Sequence, residues 1–536
     1  MSRSRWRVSH GRPAAGSRLL PACALLILFG AMPAGLQAAP AAAGFRIAAP
    51  VRTVLKNGMT LLVLERREIP LVQLQLMIRS GAAADPAGKG GTASLTAALL
   101  SRGTRNRSAQ QFAEEVEFVG GSMSATATSD RSTIVGEFAS RDLEVGLNLM
   151  SDMVENPAFR EDEFGKEQRL AIADAGALLD DAERVADEAF RGWLFGKHPY
   201  GRPVLGSKRS LQAIARADIS AFYQSNYLPN NAVLVVVGDV SAGQVAQRVE
   251  KYFAAWKRGN VAEARLPEPI AIHGRKVLLI DKPDATQSQI RFGNLGPRRS
   301  DPDYFPLAVG NTVLGGSFTS WLVQEVRTKR GLTYDIFSSV QTLRSSGMVF
   351  LGTFSKNATA VETINVSLDL VKRLKGGQIP AEDLEKARNF LAGIYPVRIE
   401  SPDAVAGQFL DIELLGLDPD YMNQYTKRVR GAGPDAVKRA AGKWMPLDDL
   451  AIVVVGPAAS LKDALAAFGP VTVRPIDAVL DPAPEARPGP PQGAAPARRS
   501  PSSETGSLGL RARPARKRSI AAARSPVSRR KTPRKP

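Results

Sequence analysis

Leu61-Leu62-Val63-Leu64-Glu65 returns in the second half of the chain as Val277-Leu278-Leu279-Ile280-Asp281. Each run is a short block of large aliphatic residues closed by an acid, the pattern of a buried strand. A second pair repeats at nearly the same separation. Leu234-Val235-Val236-Val237-Gly238 matches Ile452-Val453-Val454-Val455-Gly456, and each follows a proline, Pro229 and Pro446. Two landmarks with matching offsets predict two copies of one α+β domain. Around the first landmark, Leu71 to Ile78 puts Val72, Leu74, Leu76 and Ile78 on one face with period two. It reads as the strand neighbouring Leu61–Leu64. Ser108 to Phe118 and Asp142 to Val154 carry helical spacing. The expected domains are 45–262 and 270–478. A linker joins them around Lys257-Arg258-Gly259-Asn260 and Pro267-Glu268-Pro269.

The chain has 536 residues, 44% hydrophobic and 23% charged, ordinary values for a globular protein. Its net charge of +19 is unevenly placed. Residues 1–38 hold five Arg and no acid, and residues 479–536 hold fourteen Lys/Arg against three acids, leaving about +3 for the middle. Arg3 to Arg18 followed by the apolar run Leu19–Met32 reads as a signal peptide, 1–38, cleaved near Ala38. The run is short for a membrane span. Cys23 is the only cysteine, so the mature chain has no disulfide, and export to a Gram-negative-type periplasm is expected. The segment 479–536 is rich in Pro, Ala, Arg and Ser and reads as a disordered basic tail. Its clusters, such as Arg516-Lys517-Arg518, suit an anionic surface. They lack interleaved aromatics, so no specific nucleic-acid binding is expected.

Asp85-Pro86-Ala87-Gly88-Lys89-Gly90-Gly91-Thr92-Ala93, and Leu100-Ser101-Arg102-Gly103-Thr104 after it, resemble the frame around the active helix of the pitrilysin/insulinase-like (M16) zinc peptidases. In that family the frame encloses His-x-x-Glu-His. Two His at i and i+4 share one helix face and bind zinc, and the Glu takes a proton from the attacking water. Here Ser94 and Ala98 stand at the His positions and Ala97 at the Glu position. The family's third ligand, counted forward from Ala98 at the family's spacing, falls on Asp174, with Glu167 two helical turns before it. The only histidines are His10, His198 and His273, so no His pair at helix spacing exists. No metal is expected at the degenerate positions Ser94, Ala97, Ala98 and Asp174, and no residue of this chain is expected to be catalytic. His198 reads as structural.

The resemblance continues in order over about residues 50–470. Glu114 to Ser122 and Ala125 to Asp130 look like the family's helix, Gly-Gly turn and edge strand. That strand pairs with substrate in active relatives. Leu314-Gly315-Gly316-Ser317-Phe318-Thr319-Ser320-Trp321-Leu322 and Glu325 to Tyr334 resemble the segment whose Arg and Tyr hold the substrate backbone. Arg327 and Tyr334 match those positions. On the residues alone, a helix-capping Arg327 and a core-packed Tyr334 is the other reading. The implied fold class is α+β: two homologous domains, each a mainly antiparallel sheet with helices packed on it, forming half of a clamshell. The implied role is the non-catalytic, substrate-holding subunit of a periplasmic heterodimeric peptidase. Zinc is then expected in a partner with intact His-x-x-Glu-His, and an extended peptide is the substrate. A structural or peptide-binding protein with no proteolytic role is the alternative.

Overall fold

The computed structural model describes residues 46–261 and 266–480. The expected signal peptide and its cleavage point, and the expected tail beyond 480, lie outside the described residues. The first sheet contains β1 (Val51–Val54), β2 (Thr60–Glu65), β3 (Leu71–Ile78), β4 (Ser122–Ala127), β5 (Ser132–Ala139) and β6 (Ala232–Gly238), ordered β1-β2-β6-β3-β5-β4. The second contains β7 (Lys276–Asp281), β8 (Gln287–Gly296), β9 (Ile336–Thr342), β10 (Gly347–Lys356), β11 (Ala451–Gly456) and β12 (Val471–Pro475), ordered β12-β7-β11-β8-β10-β9. Five strands therefore correspond in order, as the repeat predicts. Only the outer strand differs: β1 runs antiparallel to β2, whereas β12 runs parallel to β7. Both sheets are mainly antiparallel, and helices pack on each, giving the expected two-domain α+β class.

One expectation is corrected. β2 and β3 are not neighbours, because β6 lies between them, parallel to β2 and antiparallel to β3. The reason is burial. Every residue of β6, Ala-Val-Leu-Val-Val-Val-Gly, is buried, so this strand must be covered on both faces and takes a central place. Closeness in sequence gives way to that demand.

The helices of the first half begin with α1 (Thr92–Leu100), α2 (Ala109–Phe118), α3 (Leu143–Glu155), α4 (Glu161–Ala177) and α5 (Ala182–Phe195). Asp181 caps α5 by accepting from the Glu183 and Arg184 N–H groups, and Val185, Ala186, Ala189 and Phe190 form its buried stripe. That stripe does not face the sheet of its own half. It joins Ala451, Val453 and Val455 of β11 and Phe350 of β10, with the Phe190 and Phe350 rings 5.5 Å apart. In return, the helix Pro402–Leu415 packs Val405, Ala406, Phe409 and Leu410 against Val233, Val235 and Val237 of β6. Each half thus lends one helix to the other's sheet.

Polar latches seat both exchanged helices. Gln75 of β3 donates to the Asp403 carboxylate at 2.7 Å. Arg291 of β8, only 1% exposed, donates to the Asp187 carboxylate of α5 at 2.6 Å. Gln75 pairs across its sheet with Val235, and Arg291 with Val453, so the two occupy equivalent positions. Asp187 and Asp403 are separated along the chain by the same interval as Leu61 and Val277, so they too belong to the repeat. The polar members of the period-two pattern in β3 therefore do not face solvent: Gln73 and Gln75 are both buried under the borrowed helix.

Candidate functional site

The approach to α1 is built around the Asp85 carboxylate. It accepts from the backbone N–H groups of Gly91, at 2.7 Å, and Ala93, at 2.8 Å, and so caps the helix from outside. Burial pushes this carboxyl up to about 7, against the pull of those two N–H donors. Lys89 is tied to Asp218 at 2.5 Å. The amides that might suggest a phosphate cradle are thus engaged by a side chain of the loop itself. Gly91 has φ +97°, and a Cβ there would lie 2.8 Å from the Leu205 carbonyl oxygen and 2.8 Å from Leu211 Cδ2. Gly91→Ala is therefore expected to cost about 2 kcal/mol or more, since strain and clash add. Urea unfolding measures it, and an unchanged midpoint would show that the loop has no need of glycine.

On α1 the positions of interest share one face. Ser94 is half-buried, and its hydroxyl donates to the Val204 carbonyl at 2.8 Å. Ala97 is buried and Ala98 half-buried. One turn further, Arg102 reaches Glu167 of α4 at 2.7 Å. Asp174 lies near the end of α4 with its residue exposed. Zinc does not fit this set. Ser94 spends its hydroxyl on a carbonyl, Ala97 and Ala98 offer no donor atom, and Glu167 is neutralised by an arginine. Among the described residues, no group of three or more His, Cys, Asp or Glu is placed to hold a metal ion. His198 is buried, with one ring nitrogen 2.9 Å from the Pro267 carbonyl oxygen and the other accepting from the Tyr200 N–H.

α1 packs beside β4, the free edge of the first sheet. The segment before it forms as expected. Ser108 and Gln111 make a reciprocal capping box on α2, Gly120 turns the chain at φ +64°, and β4 follows.

The second-half segment is organised differently from a plain helix. The helix Tyr304–Leu314 ends in a tight loop pinned to β9 by the Ser338 N–H donating to the Gly315 carbonyl. The chain then enters a π-helix, Val323–Lys329, closed at Gly331 with φ +62°. Arg327 sits in this π-helix. Its guanidinium lies 4.7 Å from the Tyr334 ring centre and 5.2 Å from that of Phe318, inside cation–π range of both. Tyr334 is 75% and Phe318 72% exposed, so neither ring belongs to the core. Glu325, two residues before Arg327 in the chain, is already taken: it binds Lys329 at 3.0 Å and Arg330 at 3.2 Å. Among the described residues, neither the Arg327 guanidinium nor the Tyr334 hydroxyl has a hydrogen-bond partner. The structure thus brings the two sequence-predicted residues together. It adds Phe318, which sequence reasoning passed over, although a large apolar residue inside a Gly/Ser/Thr loop is itself a signal.

Residues 61–208 match the profile described as insulinase (peptidase family M16), and residues 213–391 match the profile described as the peptidase M16 inactive domain. An uncharacterized zinc protease of Mycobacterium leprae is 26% identical over 349 residues, covering 65% of this chain and 78% of that protein. The uncharacterized zinc protease YmxG of Bacillus subtilis is 23% identical over 414 residues, covering 76% and 99%. Among solved structures, a peptidase M16 inactive domain from Pseudomonas fluorescens superposes with a TM-score of 0.72 at 25% identity, covering 76% of this chain and 98% of that one. A chain of complex III from Candida albicans shares the fold, with a TM-score of 0.67 at 14% identity and coverage of 77% and 97%. Two profiles in family order, over two sheets of matching strand order, leave one conclusion: this chain is a member of peptidase family M16, the insulinase family.

Proposed function

We propose that the chain is the non-catalytic, substrate-holding subunit of a periplasmic heterodimeric M16 peptidase. Its partner carries His-x-x-Glu-His and the zinc. One observation carries this reading: Arg327 and Tyr334 are held together at the surface with their polar atoms uncommitted among the described residues. A guanidinium within cation–π range of two rings has lost freedom before any ligand arrives. Such pre-organisation suits a group that must hold a peptide carbonyl or carboxylate. A protein kept only for its shape has no need to expose that set. The α1 face supports the same division, because Ser94, Ala97 and Ala98 place neither an imidazole nor a carboxylate there.

The test is reconstitution. The chain is purified alone, then co-expressed with an exported M16 subunit bearing the intact motif. Peptide cleavage is followed with quenched-fluorescence peptides. Neither subunit alone is expected to show the turnover of the pair. If the motif-bearing subunit is equally active without this chain, the substrate-holding role is wrong.

A further inference from the structure

A cleft of about 220 Å³ lies between the two halves. The β4–β5 turn supplies Thr128, Asp130 and Arg131, the loop after β8 supplies Arg299, and the helix Pro402–Leu415 supplies Gln408 and Asp411. It is lined by two guanidiniums and two carboxylates, of which only one pair joins. Arg131 is paired with Asp411 at 2.5 Å. Asp130 is satisfied by the Tyr200 hydroxyl, at 2.6 Å, and the Arg344 backbone N–H, at 2.9 Å. Arg299 has no carboxylate partner among the described residues. It donates instead to the hydroxyls of Tyr421 and Tyr304, which are neutral acceptors, and lies over both rings.

The surroundings add positive charge. Arg52 and Arg79 share Glu413. Arg344, at the tip between β9 and β10, forms no ion pair among the described residues. Burial, and then Arg344 and Arg52, push the Arg79 guanidinium below its usual range against the pull of Glu413. Like charges are therefore kept close together, an arrangement that an added anion relieves. The other walls are informative too. Leu343, Ile412 and Leu414 give an apolar side, while the Gln408 amide bonds nothing among the described residues.

We propose that this cleft binds the C-terminal residue of a short peptide. The free carboxylate lies at Arg299, the last amide at Gln408, and an apolar side chain against Leu343 and Ile412. The volume suits one residue, and a guanidinium fork is matched to a carboxylate. The site goes beyond the substrate-holding reading and does not depend on it, because the chain alone is enough to test it.

Three probes are titrated into the purified chain by calorimetry: N-acetyl-leucine, N-acetyl-leucinamide and inorganic phosphate. Saturable binding of N-acetyl-leucine is expected, with the amide about tenfold weaker because it lacks the charge. Phosphate should compete poorly, having no apolar part. Arg299→Lys, which keeps the charge but loses the fork, should weaken N-acetyl-leucine about tenfold. Should that variant fail to fold, Gln408→Leu carries the test, since its amide supports no other bond. Equal binding of acid and amide overturns the proposal, as does absence of saturation. Phosphate displacing N-acetyl-leucine on equal terms overturns it in favour of a simple anion site, and an unchanged affinity in Gln408→Leu overturns the assigned pose.

Discussion

Asp187→Ala is expected to destabilise the protein by about 3 kcal/mol, roughly 1 kcal/mol more than Asp403→Ala. The two acids occupy equivalent places in the repeat and perform the same mechanical task, seating a borrowed helix on a foreign sheet. Their partners differ in charge. Asp403 receives two neutral amides, Gln75 at 2.7 Å and Gln73 at 3.2 Å, so its removal costs two ordinary hydrogen bonds, about 1 kcal/mol each, while Gln75 keeps its bond to the Asp403 backbone carbonyl. Asp187 receives a guanidinium that is 1% exposed. Without Asp187, that charge retains the Ile290 and Thr353 carbonyls, the face of Phe337, and Glu183 at 3.6 Å. A buried charge stripped of its partner costs about 3–5 kcal/mol. The low end applies, because Asp187 itself is 48% exposed and Glu183 can move closer. Urea unfolding gives both values. A third variant, Asp187→Ala with Arg291→Met, isolates the cause by removing the charge as well. It should recover much of the loss, since an apolar replacement of a buried pair is often neutral. If the two single variants lose equal stability, the charge of Arg291 is not what matters. Because each apolar cluster draws residues from both halves, the described domains should unfold in one transition.

That asymmetry also marks what the sequence can say and where it stops. The repeat was readable because strands buried on both faces are written as unbroken aliphatic runs, and Leu61–Leu64 and Val277–Ile280 are such runs. The family frame was readable because Asp85, Lys89 and Gly91 each have a fixed physical task at the start of α1. The order of strands was not. Nothing in Leu71–Ile78 says that β6, far later in the chain, will stand between it and β2. The helix exchange was hidden for a related reason. The apolar stripe of α5 fits the sheet of either half equally well, and only the matched acids Asp187 and Asp403 distinguish them. At the site, the pairing of Arg327 with Tyr334 was legible from their place in the family segment. The π-turns that present Arg327, and Phe318 as its second ring, were not. A π-helix arises from packing across several turns, not from any one residue preference.

Arg327→Ala is expected to reduce kcat/KM of the reconstituted pair by about 100-fold while leaving the fold intact. The magnitude is that of removing one pre-organised donor from a site that polarises or holds a carbonyl, ~2.7 kcal/mol. The absence of a stability effect follows from the geometry. The guanidinium is outside the core and makes no ion pair or hydrogen bond with the described residues, so its loss should stay within ~0.5 kcal/mol. Tyr334→Phe keeps the ring against Arg327 and removes only the hydroxyl, so about a tenfold loss is expected. Phe318→Ala leaves every donor in place and releases one side of the guanidinium. Its effect should be smaller still, a few-fold, and fall mainly on KM, because what it removes is ordering before binding. The three variants therefore form a graded series: charge and fork, then hydroxyl, then support. A merely structural segment would give the reverse result, with melting temperatures falling and turnover per folded molecule unchanged. Full turnover by a well-folded pair carrying Arg327→Ala would separate this segment from the substrate. The missing zinc ligands on α1 would then be a lost function with nothing retained in compensation.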